Sequence, residues 1–242
     1  IATHENNVAD GKTLNIDATK ILTNIFTFDG SAENDGKYNI TVAGTNKTKD
    51  HIITLGNSDD TYTSTSVGGD EVTATAGNNT ITTGDGIDLV TGGTGADKIY
   101  TQSGNDIIKF ATSNFTSLDV VDGGSGTDSI QLETTGSTVI DDDFTGVTNV
   151  ETLTSKLDSQ LTATLGAKAA AAGITTVAFN DDTAADTLTI GSGFTSDLTV
   201  TMETDQSNAD SARANTVTAT NYTKNLTVKM TSADMDLRAT TL

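Results

Sequence analysis

The chain has 242 residues and a formal net charge of −20, from 33 acidic against 13 basic side chains. That charge repels nucleic acid and anionic membrane surfaces and favours cations as partners. There is no cysteine, which excludes disulfides and zinc–thiolate sites, and no run of eighteen apolar residues long enough to span a membrane.

The predicted elements are short strands. Residues 1–45 read as a β-rich segment, with strands near "KTLNID", "NIFTFDG" and "YNITVAG". The chain starts at Ile1 without a basic, apolar leader, so it reads as an excised or processed piece. Residues 46–132 carry a nine-residue beat. Residues 133–242 return to less regular β segments, such as "TTVAFND", "DTLTIGS" and "DLTVTME", which predict a solenoid-like continuation. Hydrophobic content is 34%. Low hydrophobicity with high charge suggests disorder, but the apolar residues cluster in β-branched groups such as "HIITL" and "LTVKM". Threonine, asparagine, aspartate and glycine suit short strands and tight turns. One helix is predicted near 161–172, from "LGAKAAAAGI", closed by Gly173.

The beat follows the template G-G-x-G-x-D-x-U-x, where U is aliphatic. "GGTGADKIY" (92–100) and "GGSGTDSIQ" (123–131) fit throughout, and "TGDGIDLVT" (83–91) loses only the first glycine. Asp70, Asn79, Asp88, Asp97 and Asp106 are spaced by nine, and Val72, Ile81, Val90, Ile99 and Ile108 follow two residues later. Asp60 with Tyr62 and Asp50 with Ile52 resemble ten-residue versions upstream. Asp128 comes 22 residues after Asp106, across the insertion "FATSNFTSLDVVD".

Glycines in "GGxGxD" supply backbone angles closed to other residues, so the hexad is a turn, and "xUx" is a short strand with one side chain inward. A turn plus a strand is half a coil of a parallel β-roll, and the turns stack about 4.8 Å apart along each edge. Residues eighteen apart then share an edge. Asp70, Asp88 and Asp106 line one, while Asn79 and Asp97 line the other, with Asp60 roughly in register. Carboxylates stacked so closely raise each other's pKa unless a cation lies between them. Calcium, a hard ion taking six to eight oxygens, suits such turns better than magnesium. The candidate ligand positions are Asp70, Asn79, Asp88, Asp97, Asp106 and Asp128. The turn glycines Gly84, Gly86, Gly93, Gly95, Gly124 and Gly126 aim carbonyl oxygens at several Ca2+ ions. Asn79 brings no charge and should bind more weakly.

Over residues 68–131 these motifs resemble the RTX family of calcium-binding nonapeptide repeats. Gly92, Gly93, Gly95, Asp97 and Ile99 match its motif residue by residue, as do Gly123, Gly124, Gly126, Asp128 and Ile130. The resemblance implies an all-β, right-handed parallel β-roll with bound calcium, export by a type I system and folding outside the cell. The flanks "FTFDGSAEN" and "GVTNVETLTS" resemble segments of large bacterial surface-layer and RTX surface proteins.

The remaining acids, including Asp10, Asp17, Asp29, Asp35, Asp141 to Asp143, Asp181, Asp182 and Asp186, are expected in solvated loops. The two histidines, His4 and His51, stand outside any H-E-x-x-H motif, and no G-x-S-x-G elbow is present, so no enzyme is expected. The expected role is a calcium-stabilised structural segment of an extracellular surface-layer protein. Its expected partners are copies of itself or neighbouring surface-protein subunits. The alternatives are a spacer or tip module of a large adhesin, which binds a surface or cell-surface glycan, and the secretion module of an exported protease or lipase. Regular external threonine ranks would favour the adhesin.

Overall fold

The computed structural model describes residues 8–46, 51–134, 136–156, 160–180, 185–202, 215–230 and 238–239. His4, Asp50, Asp181 and Asp182 lie outside the described residues. The chain forms two compact units. Unit 1 comprises Ile1–Lys109 and Leu118–Asp128, and unit 2 comprises Phe110–Ser117 and Ser129–Leu242. Each is a right-handed parallel β-solenoid. Among the described residues no helix is long and apolar enough to cross a membrane.

Unit 1 contains β1 (Thr13–Ala18), β2 (Phe26–Asp29), β3 (Lys37–Val42), β4 (His51–Thr54), β5 (Thr61–Ser64), β6 (Asp70–Thr73), β7 (Thr80–Thr82), β8 (Leu89–Gly92), β9 (Lys98–Tyr100), β10 (Ser103–Gly104), β11 (Ile107–Phe110, all but its last residue), β12 (Val120–Asp122) and β13 (Ser125–Gly126). Successive strands alternate between two sheets. One runs β1-β3-β5-β7-β9-β12 and the other β2-β4-β6-β8-β11. Each coil therefore gives one strand to each sheet. Register keeps like on like. Tyr62 pairs with Ile81, Ile81 with Ile99 and Ile99 with Val121. On the other sheet Ile53 pairs with Val72 and Val72 with Val90. Strand residues alternate inward and outward, so every second side chain enters a core between the sheets that is one residue deep from each. Ile81, Ile99, Val72, Val90 and Ile108 are fully buried. Burying each contributes about 1.5–3 kcal/mol.

Unit 2 contains β14 (Ser129–Leu132), β15 (Ser137–Val139), β16 (Val147–Thr148), β17 (Thr152–Ser155), β18 (Leu161–Leu165), α1 (Ala167–Ala172), β19 (Thr176–Phe179), β20 (Thr187–Ile190), β21 (Leu198–Met202), β22 (Thr216–Ala219), β23 (Leu226–Met230) and β24 (Arg238–Ala239). Its parallel sheets run β14-β17-β19-β21-β23 and β15-β18-β20-β22-β24. Register partners are 24 residues apart at Thr152 and Thr176 but 29 apart at Thr187 and Thr216. The strands keep the pattern of unit 1 while the connections lengthen and vary, which removes the fixed beat from the sequence.

The helix is shorter than predicted. Leu161 to Leu165 form a strand because Leu161, Ala163 and Leu165 point into the core while Thr162 and Thr164 point out. Only the alanine run from Ala167 is helical. Its N–H groups are capped by a distant side chain: Asp141 accepts bonds from Gly166 N (2.7 Å), Ala169 N (2.9 Å) and Lys168 N (3.2 Å). Gly173, at φ 107°, ends it.

Candidate metal centre

The glycine-rich hexads fold as turns that stack on one another. Asp85 bridges to Ser103, and Ser103–Gly104 pair with Ser125–Gly126 along one edge. Ala76 bridges to Thr94 along the other. All six glycines singled out from the sequence lie in these turns. Gly86, Gly95, Gly124 and Gly126 have φ of 113°, 125°, 81° and 141°. Gly84 and Gly93 instead lie against the previous coil. A Cβ on Gly84 would sit 2.7 Å from Ser66 N, and one on Gly93 would sit 2.5 Å from Thr75 O. Gly95 combines both constraints, since its missing Cβ would also strike the Gly77 carbonyl.

Each turn ends on a side chain that reaches the backbone of the coil before it. On one edge Asp70 N donates to Asp88 Oδ1 (2.7 Å), Asp88 N to Asp106 Oδ1 (2.8 Å) and Asp106 N to Asp128 Oδ1 (2.8 Å). On the other, Tyr38 N donates to Asp60 Oδ1 (2.7 Å), Asp60 N to Asn79 Oδ1 (2.9 Å), Asn79 N to Asp97 Oδ1 (2.8 Å) and Asp97 N to Asp119 Oδ1 (2.9 Å). The result is two columns, one of Asp70, Asp88, Asp106 and Asp128, the other of Asp60, Asn79, Asp97 and Asp119. All eight side chains are at most 1% exposed. Asp119 went unnoticed in the sequence because the insertion hides its beat. The signal was available: Asp119 follows Asp97 by 22 residues, the same interval that separates Asp106 from Asp128.

One oxygen of each carboxylate is used by the neighbouring coil, and the other is the chemically informative one. Among the described residues, Asp88 Oδ2 and Asp97 Oδ2 are buried and accept no hydrogen bond. Burial pushes the Asp88 carboxyl up to about 8, and the nearby Asp70 and Asp106 charges push the same way. Burial raises Asp60 to about 6. It also raises Asp70, Asp97 and Asp106. Such carboxylates are stable in ionised form only with a cation against the second oxygen. No three Asp, Glu or His side chains converge as a metal-holding group among the described residues. A bound cation therefore has to draw on backbone carbonyls of the stacked turns as well, and an oxygen-only donor set suits calcium.

Two of the other acids depart from that expectation, Asp186 buried and Asp141 half-buried. Asp186 is fully buried; its Oδ1 accepts Leu161 N (2.6 Å), and its own N–H donates to Asn215 Oδ1 (2.7 Å). The sequence pattern explains this, because "DTL" at 186–188 and "NTV" at 215–217 repeat the Asp/Asn-x-aliphatic unit of the ladder at longer spacing. Asp141 caps α1. Asp17 and Asp29 make exposed turns with Thr19 and Ser31, as expected of loop residues.

Against known proteins, the family model described as the RTX calcium-binding nonapeptide repeat (4 copies) matches residues 64–91 and 73–108. No curated protein and no solved structure matches the chain. Residues 64–108 are thus an RTX calcium-binding nonapeptide repeat region, set in a parallel β-solenoid.

Proposed function

We propose that the chain is a calcium-folded structural segment of a secreted bacterial cell-surface protein, with assembly into a surface layer as its role. The observation that carries the calcium reading is the buried second oxygen of Asp88 and of Asp97, repeated from coil to coil in a fixed register. Asp70, Asp88, Asp106 and Asp128 on one edge, and Asp60, Asp97 and Asp119 on the other, would hold the ions with carbonyls of the turns that contain Gly84, Gly86, Gly93, Gly95, Gly124 and Gly126. Bound calcium would neutralise the columns and let a chain of net charge −20 compact. Calcium titration followed by circular dichroism tests this. The β signal should grow with added calcium and weaken, without vanishing, in excess chelator; a chain equally β-structured in chelator overturns the reading. Electron microscopy with and without calcium tests the lattice role, for which the expected outcome is ordered sheets only with the ion.

A second reading, an adhesive segment, draws on the outer face of unit 2. Thr162, Thr187 and Thr216 pair in register, as do Thr164, Thr189 and Thr218. These two parallel ranks of outward threonines form a regular hydroxyl grid. Binding to a glycan array that is lost on changing Thr187 and Thr189 to valine would favour adhesion over the lattice.

A further inference from the structure

The turn that ends on Asn79 keeps the backbone of its neighbours and fills its interior differently. Its third and fourth residues, Ala76 and Gly77, correspond to Thr94 and Gly95 in the turn that ends on Asp97, and Ala76 bridges to Thr94. Gly77 and Gly95 share the left-handed conformation, at φ 91° and 125°. The Asn79 side chain is buried, and its Oδ1 accepts Asp60 N at 2.9 Å, the bond that the ladder aspartates also make to the coil before them. That bond sets the orientation of the amide, because a backbone N–H can meet only its oxygen. Nδ2 is thereby turned toward three acceptors. It donates to Ala76 O (3.1 Å), Gly77 O (3.2 Å) and Asp97 Oδ1 (3.1 Å).

Two turn carbonyls and a carboxylate oxygen are the donors a hard cation would take. At Asp88 and Asp97 the side-chain atom that corresponds to Nδ2 is Oδ2, which is buried without a hydrogen bond. The same place in the repeat therefore wants positive charge at the aspartates and already holds a hydrogen donor at Asn79. We propose that the Asn79 amide stands in for a calcium ion, so that this turn takes none. The residues here do not fit calcium, since the amide hydrogens occupy the side of the turn that an ion would need. Rotating the amide to offer its oxygen would break the bond to Asp60 N and leave a buried N–H without its acceptor. The ladder thus contains one rung that is closed by its own side chain at any calcium concentration. This inference rests on the calcium reading and sharpens it, because the weak site expected at Asn79 becomes no site.

Asn79→Asp tests it on the full chain. The change keeps the shape of the side chain and replaces the donor by a second carboxylate oxygen. Equilibrium dialysis with atomic absorption should find one more calcium bound per chain than in the wild type. The melting temperature of the variant should be lower than wild type in excess chelator, and saturating calcium should raise it by more. Asn79→Ala, which removes the donor and adds no charge, should melt lower in both conditions and leave the ion count unchanged. A measurement on the wild type needs no variant. In saturating calcium, nuclear magnetic resonance should show the Asn79 side-chain amide protons protected from solvent exchange. An equal ion count in Asn79→Asp and wild type, an ion lost in Asn79→Ala, or Asn79 amide protons that exchange like those of a solvated side chain overturns the proposal. Failure of the calcium reading itself would appear separately, as a wild type that binds no ion and keeps its full β signal in chelator.

Discussion

At the scale of the residue, each ladder aspartate does two jobs with two oxygens. Asp88 Oδ1 stitches its coil to the Asp70 N–H, while its Oδ2 is buried without a hydrogen bond. An amide can do the first job, as Asn79 does toward Asp60 N, but it cannot bind a cation by charge. Asp88→Asn should therefore change stability with opposite signs in the two conditions. In excess chelator its melting temperature should rise, because a buried carboxyl that must take up a proton on folding is gone. In calcium it should fall, and the calcium midpoint of folding should rise about tenfold, which corresponds to about 1.4 kcal/mol of lost binding. Asp10→Asn, at an exposed position, should change neither. Asp186→Asn is a poor control, since Asp186 is itself buried. The pH dependence follows from the same groups. The folded-state pKa of Asp88 is raised to about 8 and that of Asp60 to about 6. Without metal the folded chain binds more protons than the unfolded chain from about pH 4 upward, so its stability falls as pH rises through 6 to 8. Thermal melts in chelator should show that decline, and saturating calcium should flatten it.

The element that matters is the half-coil, a turn of six residues and a strand of about three. Its core is one side chain deep, so no second layer compensates for a loss. Ile99 stacks between Ile81 and Val121 and is fully buried. Ile99→Ala should cost about 2–5 kcal/mol in denaturant unfolding in calcium. Ile99→Asp should keep unit 1 unfolded at any calcium concentration, because the new charge enters a core without a turn carbonyl to share a cation. This element was legible in the sequence because one constraint fixes both of its halves. The turn needs glycine, and the strand needs one inward aliphatic residue, so the spacing cannot drift while coils stack at strand distance. The beat identified the fold and the two edges wherever that constraint is tight. It missed Asp119, where the coil grows from 18 to 22 residues and the added length lies between the strands. It also mistook the start of β18 for helix, since "LTATLGAKAAAA" changes from period-two alternation to an alanine run with only Gly166 to mark the boundary. The role of Asn79 was illegible for a different reason. The beat marks it as a weaker ligand, and only the bond of its Oδ1 to Asp60 N in the coil before turns its Nδ2 toward the turn carbonyls.

Across the whole molecule, the two units share a backbone plan and differ in what fills it. Unit 1 buries seven ladder aspartates, at positions 60, 70, 88, 97, 106, 119 and 128. In unit 2 the buried carboxylate among the described residues is that of Asp186. Its coils instead enclose a mostly apolar core. Phe115 stands 5.3 Å from Phe110 and 5.5 Å from Phe144 between ring centroids, and Leu153, Val177 and Val200 stack in register. Calcium should therefore act on the two units unequally. Removing it leaves unit 1 with a stack of buried carboxyl groups in a thin core, while unit 2 keeps most of its apolar burial. Hydrogen exchange resolved by peptide measures this directly, because protection reports local opening rather than a global average. In excess chelator, amides of β6 to β9 should exchange about a hundredfold faster than in calcium, and those of β17, β19 and β20 should change by less than about threefold, the factors corresponding to roughly 3 and under 1 kcal/mol of opening free energy. Equal loss of protection in both sets would mean that the second unit depends on the ion as strongly as the first, and that its varied, longer coils are held by calcium rather than by their apolar core.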